Sequence, residues 1–119
     1  MELQPNMYVR LNCNYELGIG KTIGEIDEDN FIKTKFKDGF ECSLPTYMIT
    51  KASHNIIDLI EVGDYVNGYP VYETIEYPDN TRAIVIADDY KSVIWEESPQ
   101  YIKSIVTKEQ FENMKYEVK

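Results

Sequence analysis

Cysteine and histidine are scarce in this chain of 119 residues, which contains two cysteines and one histidine. Cys13 and Cys42 lie in strand-like stretches without the Cys-x-x-Cys or Cys/His spacing of a zinc site, so reduced thiols are the predicted state. A cysteine nucleophile would need His54 and a third, orienting group close by. Nothing in the sequence supplies that arrangement, and we predict a protein without catalytic residues.

Long apolar runs are also missing. None approaches the roughly 18 residues that span a bilayer. The segment from Met1 to Arg10 has neither the basic region nor the apolar region of a signal peptide. The sequence therefore predicts a cytoplasmic protein that is neither secreted nor embedded in a membrane.

Basic residues are in short supply, with 12 Lys and Arg against 21 Asp and Glu and a net charge of −9. Thirteen of the acidic residues but only six of the basic ones follow Ser53, which places about −7 of that charge in the second half. Such a surface repels phosphate backbones and anionic lipids, which disfavours direct binding to nucleic acid or a membrane. The partner that such a surface attracts is a basic protein, or a nucleic-acid-binding groove from which the nucleic acid has been excluded.

Motifs for cofactors and metals are incomplete. Gly20-Lys21-Thr22 looks like the end of a phosphate-binding loop, but Tyr15 stands where the first glycine of that loop is needed. The acidic run Asp27 to Asp29 would require a glycine at position 32 of a calcium loop, where Ile32 stands. The consecutive acidic pairs later in the chain would point to opposite faces of a strand. We predict no cofactor and no metal.

Short runs rich in Val, Ile, Thr and Tyr alternate with turn residues, which is typical of a mainly β protein. Turns are predicted at Asp29-Asn30, Lys37-Asp38-Gly39, Asn67-Gly68 and Pro78-Asp79-Asn80. Ten strands are predicted: Tyr8 to Leu11, Ile19 to Ile26, Phe31 to Lys37, Phe40 to Leu44, Tyr47 to Lys51, Asp64 to Asn67, Pro70 to Ile75, Arg82 to Ala87, Ser92 to Trp95 and Tyr101 to Val106.

The two halves share short strings at one offset of 57 residues. Tyr8-Val9 recurs as Tyr65-Val66, and Ile49-Thr50-Lys51 recurs as Val106-Thr107-Lys108. The pattern predicts two small SH3-like barrels, an N-terminal one over 1–61 and an acidic one over 62–119, or else a single β-barrel or sandwich. Chance repetition of common β strings is the competing explanation.

One short helix is predicted over 108–114, where Thr107 can cap the first amides and Gln110 can reach back in a capping box. The segment from His54 to Ile60 has an apolar stripe that suits a helix or a buried strand, and we favour a turn or short helix that bridges the halves. Because each half has only about sixty residues, we expect both to share one core. Its predicted members are Val9, Ile19, Ile23, Ile26, Phe31, Phe36, Ile49, Ile57, Leu59, Val66, Val71, Ile75, Ile84, Ile86, Ile94, Ile102, Ile105 and Phe111.

Ten tyrosines exceed what a small core needs, and many of them lie near acidic residues in the second half. Tyrosine and tryptophan are common in protein interfaces, although tyrosine is also simply a good strand residue. We expect reversal of Asp88, Asp89, Glu96 and Glu97 to lysine to abolish capture of a basic partner with little loss of folding. The predicted partner-binding residues are Tyr69, Tyr72, Glu76, Tyr77, Asp79, Asp88, Asp89, Tyr90, Trp95, Glu96 and Glu97.

Two stretches, HNIIDLIEVGDYVNG from His54 and IKSIVTKEQFE from Ile102, resemble a group of small proteins encoded by phages and prophages of Gram-positive bacteria. The resemblance covers roughly 54–119, and that group has no assigned catalytic residues. It implies a bacterial host cell and a protein that binds and inhibits host machinery, as an anti-CRISPR type of anti-defence factor whose acidic face blocks a basic nucleic-acid channel.

Two other functions are open. One is a phage structural or assembly component that uses its β modules for interaction. The other is a sponge for an immune-signalling nucleotide, with Arg10 and Arg82 lining a local pocket.

Overall fold

The computed structural model describes residues 2–13 and 15–114, and the fold is mainly β with one short C-terminal helix, as predicted. Each of the ten predicted strands overlaps an observed one. The strands are β1 Tyr8–Leu11, β2 Gly20–Thr22, β3 Phe31–Lys35, β4 Glu41–Pro45, β5 Ile49–Ser53, β6 Tyr65–Val66, β7 Tyr69–Glu76, β8 Arg82–Ile86, β9 Val93–Trp95 and β10 Ile105–Val106. Helix α1 spans Lys108–Met114, and short 3-10 helices span Tyr15–Leu17, Lys37–Gly39, Thr46–Met48, Ile56–Leu59 and Pro99–Tyr101.

The strands form two antiparallel five-stranded sheets. The first has the order β4-β3-β2-β1-β5 and the second has the order β9-β8-β7-β6-β10, so the two sheets share one plan. A 3-10 helix precedes the last strand in each, at Thr46–Met48 and at Pro99–Tyr101. No strand pairing within 2–13 and 15–114 closes either sheet into a barrel, so both sheets are open. The division into domains at residue 61 stays a prediction.

The predicted turns have the backbone conformations that their residues favour. Asn67 and Gly68 both have positive φ, 55° and 85°, in the two-residue turn between β6 and β7. Two successive residues with positive φ define the type I′ turn that suits the twist of a hairpin. Asn30 and Asn80 also have positive φ, just before β3 and between β7 and β8. Asparagine is enriched in this conformation because its short polar side chain tolerates it.

Helix α1 begins with the predicted capping box. The Gln110 amide N–H donates to Thr107 Oγ1 at 3.1 Å, and the Thr107 N–H donates to Gln110 Oε1 at 3.0 Å. Gln110 Nε2 also donates to the Glu16 carbonyl at 3.3 Å, which ties the helix to the first half. The bridging segment is a 3-10 helix over Ile56–Leu59, capped by the Asn55 side chain, which accepts from the Ile57 N–H at 3.1 Å.

The prediction of one common core is wrong, because the structure has two. The first core contains Val9, Leu11, Ile32, Phe36, Leu44, Met48 and Ile49. The second contains Ile57, Ile60, Val66, Val71, Ile84, Ile86 and Ile94.

Four predicted core residues are exposed instead of buried, and each has a local reason. Ile23 and Ile26 follow the end of β2 at Thr22 and so lie in a loop. Phe31 points outward because Ile32 and Thr34 take the inner positions of β3. Phe111 stacks on Tyr65 near the surface, with ring centroids 5.0 Å apart.

Gly20 packs so closely that an added side chain would force its neighbours to shift. A Cβ at this position would lie 2.6 Å from the Phe36 ring and 2.7 Å from the Thr34 methyl group. We expect Gly20→Ala to lower the free energy of unfolding by about 1–3 kcal/mol, the usual cost of overpacking. Gly24→Ala is the matched control, since its Cβ would meet only Lys33 Cβ at 4.0 Å. Urea unfolding measures both, and equal effects would contradict the packing shown here.

Candidate protein-interaction surface

The predicted partner-binding residues lie on strands β7 and β9 of the second sheet and in the loops beside them, and they divide into two groups. Glu76 pairs with Arg82 at one end of the β7–β8 hairpin, and Val71 pairs with Ile86 at the other. At about 3.3 Å per residue, the four steps along β8 separate these ends by about 13 Å. The turn-end group comprises Glu76, Tyr77, Asp79, Trp95, Glu96 and Glu97. The far-end group comprises Tyr69, Tyr72, Asp88, Asp89 and Tyr90.

Two stacked aromatic rings form the centre of the turn-end group. Tyr77 and Trp95 have ring centroids 5.4 Å apart and an interplanar angle of 21°. Trp95 lies opposite Ala83 in the β8–β9 register, and the small alanine leaves room for the rings above β8. Trp95 remains 42% exposed. A shallow groove beside the rings is lined by Tyr77, Pro78, Asp79, Thr81, Trp95 and Glu97.

The far-end group is built around the turn between β8 and β9. Asp88 Oδ1 accepts from the Tyr90 and Ser92 amides at 3.1 and 2.9 Å, and Oδ2 accepts from the Ser92 hydroxyl at 2.6 Å. The hydrogen bonds from Ser92, more than any other contact, lower the pKa of Asp88. They also leave Tyr90 at the tip, 89% exposed. Lys91 Nζ lies 5.3 Å from the Tyr72 ring centroid, a cation–π contact.

Most of the predicted carboxylates already have internal hydrogen-bond partners. Asp79 holds the β7–β8 turn through the Thr81 amide and hydroxyl, at 3.0 and 2.6 Å. Glu96 accepts from the Arg82 amide at 3.2 Å, and Glu76 lies 3.4 Å from the Arg82 guanidinium. Among the described contacts, the side chains of Asp89 and Glu97 form no hydrogen bond or ion pair, so these two are the most available to a partner.

Because most of these carboxylates have internal partners, the fourfold charge reversal would not test binding alone. Reversal of Asp88 would remove three hydrogen bonds from a turn, and reversal of Glu96 would remove an acceptor for the β8 backbone. Each neutral bond contributes about 1 kcal/mol, and more when one partner is charged. A fourfold reversal would therefore mix loss of folding with loss of binding, whereas Glu97→Lys would not.

Sequence reasoning missed the apolar layer beneath the aromatic rings. β8 is buried on both faces: Ile84 and Ile86 point into the core, while Ala83 and Val85 are buried on the other side. A strand buried on both faces has a continuous apolar run in place of alternation. The run AIVIA from Ala83 is that signal. The Tyr77 and Trp95 rings therefore cover buried residues of β8 on one side and face solvent on the other.

The remaining polar candidates have structural partners. Arg10 does not line a pocket as predicted, because it is buried in an ion pair with Asp64. Arg82 lines a groove but pairs with Glu76 and Asp58, at 3.4 and 3.7 Å. His54 is exposed, with Nε2 3.0 Å from Gln4 Oε1. Cys13 and Cys42 are both free thiols, and burial raises the pKa of Cys42.

No family model matches this chain, and no curated protein or solved structure matches it at a significant level. In the described part of the chain, no three His, Cys, Asp or Glu side chains come together in a way that could hold a metal ion. The helices of that same part are all too short or too polar to span a bilayer.

Proposed function

We propose that this chain is a non-catalytic, phage-encoded protein that binds and inhibits a host protein. The observation that carries the proposal is the exposed Trp95 stacked on Tyr77, beside the carboxylate of Glu97, which pairs with no side chain among the described residues. Tryptophan and tyrosine dominate binding hot spots because they bury large rigid areas. A neighbouring carboxylate adds attraction for a basic partner and repels acidic ones.

The net charge of −9 extends this preference over the whole molecule. A protein of this charge is steered toward positive surfaces, such as the Lys- and Arg-lined clefts with which enzymes bind nucleic acid. An anti-defence role of the anti-CRISPR type, in which the acidic face occupies such a channel, is the form of inhibition that we propose. The resemblance of 54–119 to phage proteins supports the same setting.

Capture from a Gram-positive host lysate tests the proposal. We expect the tagged protein to retain a basic nucleic-acid-binding protein at low salt, and to lose much of it at high salt, because screening weakens exposed charge pairs. We expect the double variant Trp95→Ala, Glu97→Lys to weaken binding of the recovered partner by about 100-fold, since hot-spot truncations cost 2 kcal/mol or more. Calorimetry with the purified partner measures the change.

Tyr47→Ala, Glu28→Lys is the matched control. Tyr47 and Glu28 are an exposed aromatic residue and an exposed acidic residue of the first half, and the change in charge is the same. Equal loss of binding in both variants would show that net charge, and not this surface, binds the partner. Recovery of phage particle proteins alone would reject inhibition in favour of an assembly role.

A further inference from the structure

A lysine-lined cavity lies between the first sheet and the second half, away from the acidic surface. Its volume is about 250 Å³. Four lysines line it: Lys21, Lys35, Lys37 and Lys103. Apolar side chains form much of the remaining wall: Leu17, Ile19, Ile56, Ile102 and Ile105. The chain has only 12 basic residues in all. Four of them at one cavity is a concentration that the acidic composition does not suggest.

Two of these lysines lie directly opposite each other on adjacent strands of the first sheet. Lys21 of β2 pairs directly with Lys35 of β3, and Tyr8 of β1 pairs with Lys21 on its other side. All three lie on the outer face, since their neighbours Val9, Gly20, Thr22 and Thr34 point inward. Like charges directly opposite on adjacent strands destabilise a sheet. The pair therefore costs stability when nothing anionic lies between the two ammonium groups.

Within residues 2–13 and 15–114, no carboxylate neutralises this cluster. None of the four lysines forms an ion pair with a described carboxylate. Glu41 lies opposite Lys35 in the register, but its carboxylate contacts Lys33 at 3.7 Å. Lys21 Nζ is instead 5.1 Å from the Tyr8 ring centroid. The positive charges are thus free to meet an anion from solution.

The far wall of the cavity is held in place by close packing. Gln110, from the capping box of α1, lies against Gly18, where a Cβ would come within 2.6 Å of the Gln110 amide. The backbone of Lys103 is held by its amide N–H, which donates to Asn67 Oδ1 at 2.7 Å. Both halves of the chain therefore build the cavity, and its shape depends on their contact.

We propose that this cavity binds a phosphorylated small molecule. Phosphate oxygens would accept hydrogen bonds from the lysine ammonium groups, and the apolar part of the ligand would lie against Tyr8 and the isoleucine wall. Small-molecule sites combine an apolar lining with a few placed polar groups in this manner. The cavity, at about 250 Å³, is too small for a polymer, and the net charge of −9 over the whole molecule repels a long phosphate backbone. This inference is independent of the proposed protein binding, and the two sites share no residue.

Calorimetry with ADP, pyrophosphate and adenosine tests the site. We expect ADP to bind the wild-type protein more tightly than pyrophosphate, and adenosine not to bind. We expect the double variant Lys21→Ala, Lys35→Ala to weaken ADP binding by about tenfold or more, because each lysine supplies a charge-assisted hydrogen bond. Without ligand, this variant should melt no lower than the wild type, since it removes a repulsive pair.

Lys33→Ala, Lys91→Ala is the control with the same charge change, and both of its lysines lie outside the cavity. It should bind ADP as the wild type does. Absence of ADP and pyrophosphate binding to the wild type would overturn the proposal, and so would equal weakening in both double variants. Equal affinity for ADP and pyrophosphate would support the anion site and reject the role of the apolar wall.

Discussion

Arg10→Met is expected to lower the free energy of unfolding by about 3–5 kcal/mol, the cost of removing one partner from a buried ion pair. Arg10 is 3% exposed and Asp64 is fully buried, and their guanidinium and carboxylate groups meet at 2.6 and 2.8 Å. Arg10 also donates to the Leu59 carbonyl at 2.9 Å and to Glu109 at 2.8 Å. Its loss would leave Asp64 charged and buried, with only backbone donors.

Arg82→Met is the matched control, because Arg82 pairs with Glu76 and Asp58 at the surface. Exposed pairs contribute about 1 kcal/mol or less. Urea unfolding with linear extrapolation measures both variants. Equal midpoints and slopes for Arg10→Met and Arg82→Met would show that the buried pair stabilises the fold no more than the exposed pairs of Arg82 do. Near-UV circular dichroism reports whether each variant keeps its tertiary packing.

Glu61→Gln is expected to lower the free energy of unfolding by about 2–3 kcal/mol at pH 7, with an effect that disappears in acid. Partial burial by itself raises the pKa of Glu61, but hydrogen bonds from Lys108 and Lys51 outweigh it, with help from the charge of Arg10. These contacts measure 2.8, 3.0 and 3.6 Å and lower the pKa from 4.5 to about 2.

The sign of the pH dependence follows from the lowered pKa. Ionised Glu61 is more favourable in the folded protein than in the unfolded chain. Its contribution to the free energy of unfolding is therefore fully present above about pH 4.5. It is lost as the pH falls toward 2. The difference in free energy of unfolding between the wild type and the variant, measured in urea, should therefore shrink by about half between pH 7 and pH 3, and the rest is lost below pH 2. Glu76→Gln, at an exposed pair, should show a small and nearly constant difference, and a constant large difference for Glu61→Gln would refute the assignment.

Local signals in the sequence predicted the secondary structure well. The strand at Tyr8–Leu11, the Asn67-Gly68 turn and the capping box of Thr107 and Gln110 all depend on neighbouring residues. Strand ends were predicted less accurately: a strand was predicted over Ile19 to Ile26, but the observed strand is only Gly20–Thr22. Pairing with β1 and β3 ends there, and pairing depends on distant segments.

The sequence predicted the excess of negative charge but not the surroundings of each charged side chain. The sequence shows that the second half is acidic, yet it does not show that Asp88 and Glu96 are engaged by nearby backbone amides while Glu97 is not. It also does not show that Arg10 is buried. Hydrogen-bond partners up to 99 residues apart decide these environments, as for Arg10 and Glu109.

The amino-acid sequence by itself determined that the chain is mainly β, that it carries an excess of negative charge and that a short capped helix follows the last strand. Tertiary structure alone decided that there are two cores, that Tyr77 and Trp95 stack, and that Lys21 and Lys35 line a cavity to which both halves contribute. The physical reason is the separation of the interacting groups along the sequence. Turns and helix caps form their hydrogen bonds within a few residues, whereas strand register and contacts between the halves bring together groups that no local pattern connects.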